Sequence, residues 1–212
     1  MPNILIADDH SIVRYGTMLI IKQFMPNANV SGADSLNSAL KYLNSQEFDV
    51  LILDVNLPGG NNIQMIDVVK LRQPQIKILI FSAYDEQLFA LRYLQAGADG
   101  YLPKQLHENE LKTAVQTVLN GEKYISPSLK ERLLNGVTGR SEPMVANPLN
   151  KLSNRETEVM QLLIKGLSLA DISTTLNIEV STVSTYKSRI YEKLQVANII
   201  DLAEKARIYN VE

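Results

Sequence analysis

Three carboxylates, a hydroxyl and a lysine in this chain have the makings of phosphate chemistry. Asp8 and Asp9 stand side by side at the end of the apolar run Ile4-Leu5-Ile6-Ala7. Asp54 ends a second run, Val50-Leu51-Ile52-Leu53, and Ser82 ends a third, Ile76 to Phe81. Tyr101-Leu102-Pro103 then leads into Lys104. Aspartate oxygens are hard donors that suit Mg2+, with Mn2+ as the alternative, rather than zinc. A carboxylate beside such a cation can attack phosphorus and carry an acyl phosphate. Lysine and serine are the groups to hold the phosphoryl oxygens while charge moves onto them. Any one of these residues, alone, is better read as a solvated strand-end side chain. Their coincidence at successive strand ends is what points to a site.

Short apolar runs flanked by turn residues and separated by helix-period segments read as buried parallel strands. The pattern predicts strands at 3–7, 28–33, 50–54, 77–82 and 99–102, with helices near 11–24, 36–45, 62–72, 86–96 and 108–120. In the last of these, Leu111, Val115, Val118 and Leu119 fall at helical spacing, Lys112 and Gln116 face solvent, and Gly121 is placed to end the helix. The expected fold is α/β, a doubly wound five-stranded parallel sheet of the flavodoxin-like type. Such sheets gather reactive groups outside the carboxyl ends of their strands. That brings together residues about a hundred positions apart.

The chain has 212 residues, longer than one typical domain. A candidate helix near 128–135 is followed by Gly136 to Pro148, with two glycines, two prolines and little apolar periodicity, which reads as a tether. From Leu152 the pattern is helical, at 154–165, 169–176, 180–195 and 199–209, with Gly166 and Asn177 as breaks. Ser153 with Glu156 three positions on predicts a capping box. The expected division is 3–121, a linker over 122–149 with a short helix, and an all-α unit over 150–212. There is no cysteine, which excludes disulfides and thiolate chemistry, and two histidines are too few for a histidine-rich metal site. No run has the length of a membrane span and the N-terminus lacks a signal-peptide pattern, so the cytoplasm is the expected setting and no membrane contact is expected.

Residues 3 to about 120 resemble the receiver domain of bacterial two-component response regulators. The matching stretches are Ile4 to His10, Asp49 to Gly59, Ile80 to Ala83 and Gly97 to Lys104. The resemblance implies that Asp54 is the phosphoacceptor. It implies that Asp8, Asp9, Asp54 and the backbone carbonyl of Asn56 bind Mg2+. Ser82 and Tyr101 match the switch hydroxyl and switch aromatic, and Lys104 the phosphate-pairing lysine. One departure is that Pro103 precedes Lys104 and Gln105 follows it, where many receivers carry proline directly after the lysine. Haloacid-dehalogenase-type phosphatases also use an aspartyl nucleophile with a hydroxyl, a lysine and Mg2+. They carry a second acid two positions after the nucleophile; here that residue is Asn56, which cannot shuttle a proton.

In the helical unit, Val183, Ile190 and Leu194 make an inward stripe, leaving a polar face that fits a helix-turn-helix reader of the major groove. Charge gives that reading little help: from Leu152 on, seven basic residues meet eight acidic ones, which lends some support to a solvated helical bundle or a protein-interaction module instead. Leu152 to Met160, Gly166-Leu167-Ser168, Ile172, Leu176, Ile178, Thr182-Val183 and Lys193-Leu194 resemble a LuxR-type DNA-binding domain. With the receiver, this places the chain among NarL/FixJ-class response regulators. The resemblance implies a phosphorylation-controlled transcription factor rather than an enzyme, with a sensor histidine kinase and double-stranded DNA as partners. Ile199, Leu202, Ala203 and Ala206 fall on one apolar stripe of the final helix, which packs inward or serves a homodimer on DNA. The resemblance implies the pairing, which Leu202 and Ala206 inward with Ile199 and Ala203 at the rim would allow. Candidate DNA contacts are Thr182, Ser184, Lys187, Ser188, Arg189 and Lys193. Ser181 and Ser184 stand at positions often basic in such domains, and Tyr186 at one often histidine.

Overall fold

Alternation along the strands determines how the sheet is covered. The computed structural model describes residues 1–60, 63–84, 86–105, 108–131 and 148–208. Its strands are β1 (Asn3–Ala7), β2 (Asn29–Ala33), β3 (Val50–Leu53), β4 (Lys77–Ser82) and β5 (Gly100–Pro103). All pair in parallel, in the order β2-β1-β3-β4-β5. The intervening helices are α1 (Ser11–Phe24), α2 (Leu36–Ser45), α3 (Gln64–Arg72), α4 (Glu86–Gln95) and α5 (Glu108–Leu119).

Ile4, Ile6, Val50, Ile52, Leu79, Phe81 and Leu102 point to one face, where they meet Ile21 of α1 and Leu111, Val115 and Val118 of α5. Their neighbours Leu5, Leu51, Leu53, Ile78, Ile80 and Tyr101 point the other way, onto α2, α3 and α4 through Leu43, Val69 and Phe89. Strands covered on both faces must be apolar at every position, which is why the sequence shows runs and not alternation. Only the strand ends escape that demand, so the carboxylates sit there. Helix α5 ends as expected, with Gly121 at φ +84° and its N–H on the Val118 carbonyl.

The chain divides into two compact units, Met1–Val137 and Thr138–Glu212. In the second, a 3-10 turn (Pro148–Lys151) precedes α6 (Asn154–Ile164), α7 (Leu169–Leu176), α8 (Val180–Leu194) and α9 (Ile199–Ile208). The capping box forms as the sequence predicts: Ser153 N–H donates to Glu156 Oε2 at 2.6 Å, and Glu156 N–H to Ser153 Oγ at 3.3 Å. Asn177, at φ +50°, turns the chain between α7 and α8. Val183, Ile190 and Leu194 are buried as the stripe requires, and so are Leu202 and Ala206.

The segment after α5 differs from a free linker. Tyr124 is buried and bridges to Gly100, its N–H on the Asp99 carbonyl at 2.9 Å. Ser126 Oγ donates to Glu86 Oε2 at 2.6 Å, and Leu129, in a helical turn at 127–131, is buried against the α4 side of the sheet. The rest of the helix expected at 128–135, the tether up to residue 147, the first residue of the helix expected from 62 and the final residue of the one expected to 209 lie outside the described residues.

Gly100 permits this close approach. A β-carbon there would meet Leu79 Cδ1 at 2.9 Å, Tyr124 Cβ at 3.0 Å and the Tyr124 carbonyl at 3.1 Å. Gly100→Ala should destabilise the α/β unit by ~1–3 kcal/mol in urea unfolding, the usual cost of overpacking. A midpoint equal to that of wild type would mean that residues 122–124 do not hold to β5.

Candidate functional site

The carboxyl ends of β1, β3, β4 and β5 bring the expected residues together. Asp8 and Asp54 are buried, with 1% and 3% of their side chains exposed, while Asp9 is 35% exposed. Lys104 Nζ lies 2.7 Å from Asp8 Oδ2 and 2.9 Å from Asp54 Oδ2, so one ammonium is shared between two buried carboxylates. Its backbone N–H donates to the Ser82 carbonyl at 2.7 Å, which ties β5 to the end of β4. Asp54 Oδ1 accepts the Asn56 N–H at 3.2 Å. Ser82 is fully buried and its Oγ accepts the Tyr84 N–H at 3.0 Å.

Burial raises the Asp54 carboxyl above its ordinary value, and Asp8 adds to the rise, although Lys104 and the Asn56 N–H oppose it. Burial works against the Lys104 ammonium, but its hydrogen bonds and attraction to Asp8 and Asp54 outweigh that and raise it. Asp8 and Asp54 therefore share one lysine, and Asp9 adds a third carboxylate beside them. Ligand atoms of Asp8, Asp9, His10 and Asp54 lie within 4.8 Å of one another. Asp8 Oδ2 is buried with the Lys104 ammonium, 2.7 Å away, as its one polar partner among the described residues. An oxygen-rich, electron-rich pocket of this kind fits a hard divalent cation.

Tyr101 is fully buried, with its hydroxyl on the Tyr84 carbonyl at 3.0 Å. Tyr84 in turn donates its own hydroxyl to Asn56 Oδ1 at 2.6 Å and stacks on Phe89 of α4, ring centroids 4.7 Å apart. Sequence reading missed Tyr84, because nothing local links it to a partner 28 positions away. It also passed over His10, whose Nδ1 is 2.7 Å from Asp9 Oδ1; that signal was present, since His10 directly follows the acidic pair.

In the helical unit, α7, a tight turn at Asn177 and α8 make a helix-turn-helix arrangement. Ser184, Ser188 and Arg189 are exposed on α8, together with Thr185, which sequence reading did not include; Thr182 and Lys187 are half-buried. Lys187 Nζ lies 5.4 Å from the Tyr191 ring centroid. Lys193 is engaged elsewhere: its Nζ is 2.7 Å from Oε2 and 2.9 Å from Oε1 of Glu156, a carboxylate with 3% of its side chain exposed. No local pattern in the sequence marks this partner, 37 positions away.

Residues 4–116 match the family model of the response regulator receiver domain, and residues 150–206 that of the bacterial regulatory proteins of the luxR family. The chain is a response regulator of the NarL/FixJ class. Among its relatives, the oxygen regulatory protein NreC of Staphylococcus carnosus is 34% identical over 210 residues, covering 96% of this chain and 95% of that one. The fimbriae Z protein of Escherichia coli K12 is 30% identical, covering 99% and 98%. RcsB from Salmonella enterica serovar Typhimurium, solved bound to promoter rprA with the phosphomimetic BeF3−, is a structural neighbour at TM-score 0.62 and 26% identity, covering 98% and 99%. Among the described residues, no helix of this response regulator is long and apolar enough to cross a membrane.

The Glu156–Lys193 pair gives a pH test. Burial opposes ionisation of Glu156, but Lys193 and the N–H and hydroxyl of Ser153 together outweigh it and hold the carboxyl below its ordinary value. Its stabilising effect is thus present above that ordinary value, ~4.3, and is lost as pH falls through the lower folded-state value. Glu156→Gln should cost ~1–2 kcal/mol at neutral pH, a figure reduced because Lys193 is partly solvated. The gap to wild type in urea unfolding should close below pH 4. A gap independent of pH would show that the ion pair contributes nothing.

Proposed function

We propose that Asp54 accepts a phosphoryl group from a sensor histidine kinase and that this controls DNA binding by α8. The observation that carries the proposal is the buried pair Asp8 and Asp54 sharing Lys104 at the strand ends. An oxygen of Asp54 forms the new bond to phosphorus as the donor's phosphorus–nitrogen bond breaks, and the electron pair returns to the imidazole of the donor histidine. Asp8, Asp9, Asp54 and the carbonyl of Asn56 are the residues to hold Mg2+, or Mn2+, which supplies charge neutralisation to the transfer. Lys104 swings its charge from the carboxylates to a phosphoryl oxygen, and Ser82 donates its hydroxyl to another. Tyr101, being anchored on the Tyr84 carbonyl, follows any movement of the β4–α4 loop. A cytoplasmic setting suits this chemistry.

The absence of an acid at position 56 supports a regulator over a hydrolase, since no side chain there can activate water. In the test, the protein is incubated with Mg2+ and acetyl phosphate and the adduct is located by mass spectrometry. One phosphoryl group should appear on Asp54 and be lost in Asp54→Asn. Undiminished labelling of that variant would place the chemistry elsewhere.

The DNA reading rests on the polar face of α8 and on the luxR-family match, and solved RcsB relatives are bound to DNA. Thr182, Ser184, Lys187, Ser188 and Arg189 face the groove in this proposal, with Lys193 reserved for Glu156. A structure of RcsB holds two dimers on two DNAs. Here Ile199 is 39% exposed and Ala203 half-buried, beside buried Leu202 and Ala206, which supports pairing of two copies through α9. Lys187→Ala and Arg189→Ala should each lower the salt slope of DNA binding by about one unit if the contact is to phosphate, or cost ~1–3 kcal/mol at one base position if it is to a base. Ala203→Glu should leave half-site binding intact and abolish cooperativity on a two-part site. Wild-type affinity across salt in the α8 variants would move the interface off that helix.

A further inference from the structure

Asp9 is the least constrained carboxylate of the pocket. Asp8 has both oxygens engaged, Oδ1 by the His10 N–H at 2.8 Å and Oδ2 by Lys104 at 2.7 Å. Asp54 likewise meets the Asn56 N–H at 3.2 Å and Lys104 at 2.9 Å. The Asp9 side chain is 35% exposed, and among the described residues one side chain meets its carboxylate: His10, with Nδ1 2.7 Å from Oδ1. The same Nδ1 lies 3.3 Å from Asp8 Oδ1. His10 is the residue before α1, and its extended backbone, φ −78° and ψ 105°, aims the ring back at the two acids while 65% of the side chain stays exposed.

We propose that His10 is a positioning residue that acts through Asp9. Its Nδ1, 2.7 Å from Oδ1, would hold one Asp9 oxygen and leave the other free for a divalent cation. A carboxylate accepts and does not donate, so in this contact Nδ1 would be the donor. Nδ1 in that role would orient a ligand rather than serve as one. An exposed aspartate without this partner would sample several rotamers, and each cation bound would have to order it. Hydrogen-bond partners of ligating carboxylates change metal affinity by 10–100-fold when removed. The inference rests on the proposed role of Asp9 as a metal ligand.

The test is Mg2+ titration calorimetry of the full-length protein as wild type, Asp9→Ala, His10→Ala and His10→Asn. His10→Ala should weaken Mg2+ about tenfold or more. His10→Asn, whose amide N–H replaces that of Nδ1, should regain most of the loss. Labelling of Asp54 by acetyl phosphate should need more Mg2+ for half its maximal rate in His10→Ala, and should reach the wild-type rate at saturation. Mn2+ bound to wild type should give no electron-spin-echo signal from a directly coordinated nitrogen. If Asp9→Ala loses Mg2+ and His10→Ala binds it like wild type, the role of His10 is refuted and the pocket stands. A coordinated nitrogen, a failed rescue by asparagine, or a lowered rate at saturating Mg2+ also overturns the role. If Asp9→Ala itself binds Mg2+ like wild type, the metal assignment fails with it.

Discussion

One ammonium set against three carboxylates is the constraint on which the α/β unit turns. The strands must be apolar where helices cover both faces, so polar groups collect at their ends, and three of those groups carry the same sign. Lys104 reaches both buried acids, 2.7 Å from Asp8 and 2.9 Å from Asp54, and cannot neutralise the cluster alone. Burial holds the Asp54 carboxyl above its ordinary value even so. On the reading proposed above, a divalent cation would supply the positive charge that Lys104 alone does not. Phosphorylation would rearrange the same balance, because new oxygens would compete with Asp8 and Asp54 for Lys104.

The pocket is tied physically to the part of the unit where the chain leaves it. Asn56 follows Asp54 by two positions and accepts the Tyr84 hydroxyl; Tyr84 stacks on Phe89 of α4, and its carbonyl accepts from Tyr101. Glu86, two residues beyond Tyr84, accepts from Ser126 in the segment that leaves α5. A shift at Ser82–Tyr84 would therefore bear on packed side chains with hydrogen bonds at both ends.

Much of this was legible in the sequence, for definite reasons. Apolar runs ending in Asp8, Asp54 and Ser82 give both the parallel sheet and the end where chemistry lies, because burial on two faces leaves no other reading. The Ser153–Glu156 cap and the Val183–Ile190–Leu194 stripe are likewise local patterns. What stayed hidden depends on partners far along the chain. Lys193 sits in a locally basic helix and reads as a surface charge, yet Glu156 takes it up across the packed helices. Tyr84 carries no mark of its bond to Asn56, and residues 122–131 look like linker although Tyr124 and Leu129 are buried.

On the reading proposed above, the pocket's excess negative charge is costly until a divalent cation balances it. The most direct test is the urea unfolding of the α/β unit, with and without Mg2+, in wild type and Asp54→Asn. Removing one charge should make Asp54→Asn more stable than wild type when Mg2+ is absent. Mg2+ should then stabilise wild type in proportion to the logarithm of its concentration and narrow or reverse that difference. A wild type already more stable than Asp54→Asn without Mg2+, and unmoved by adding it, would contradict the account.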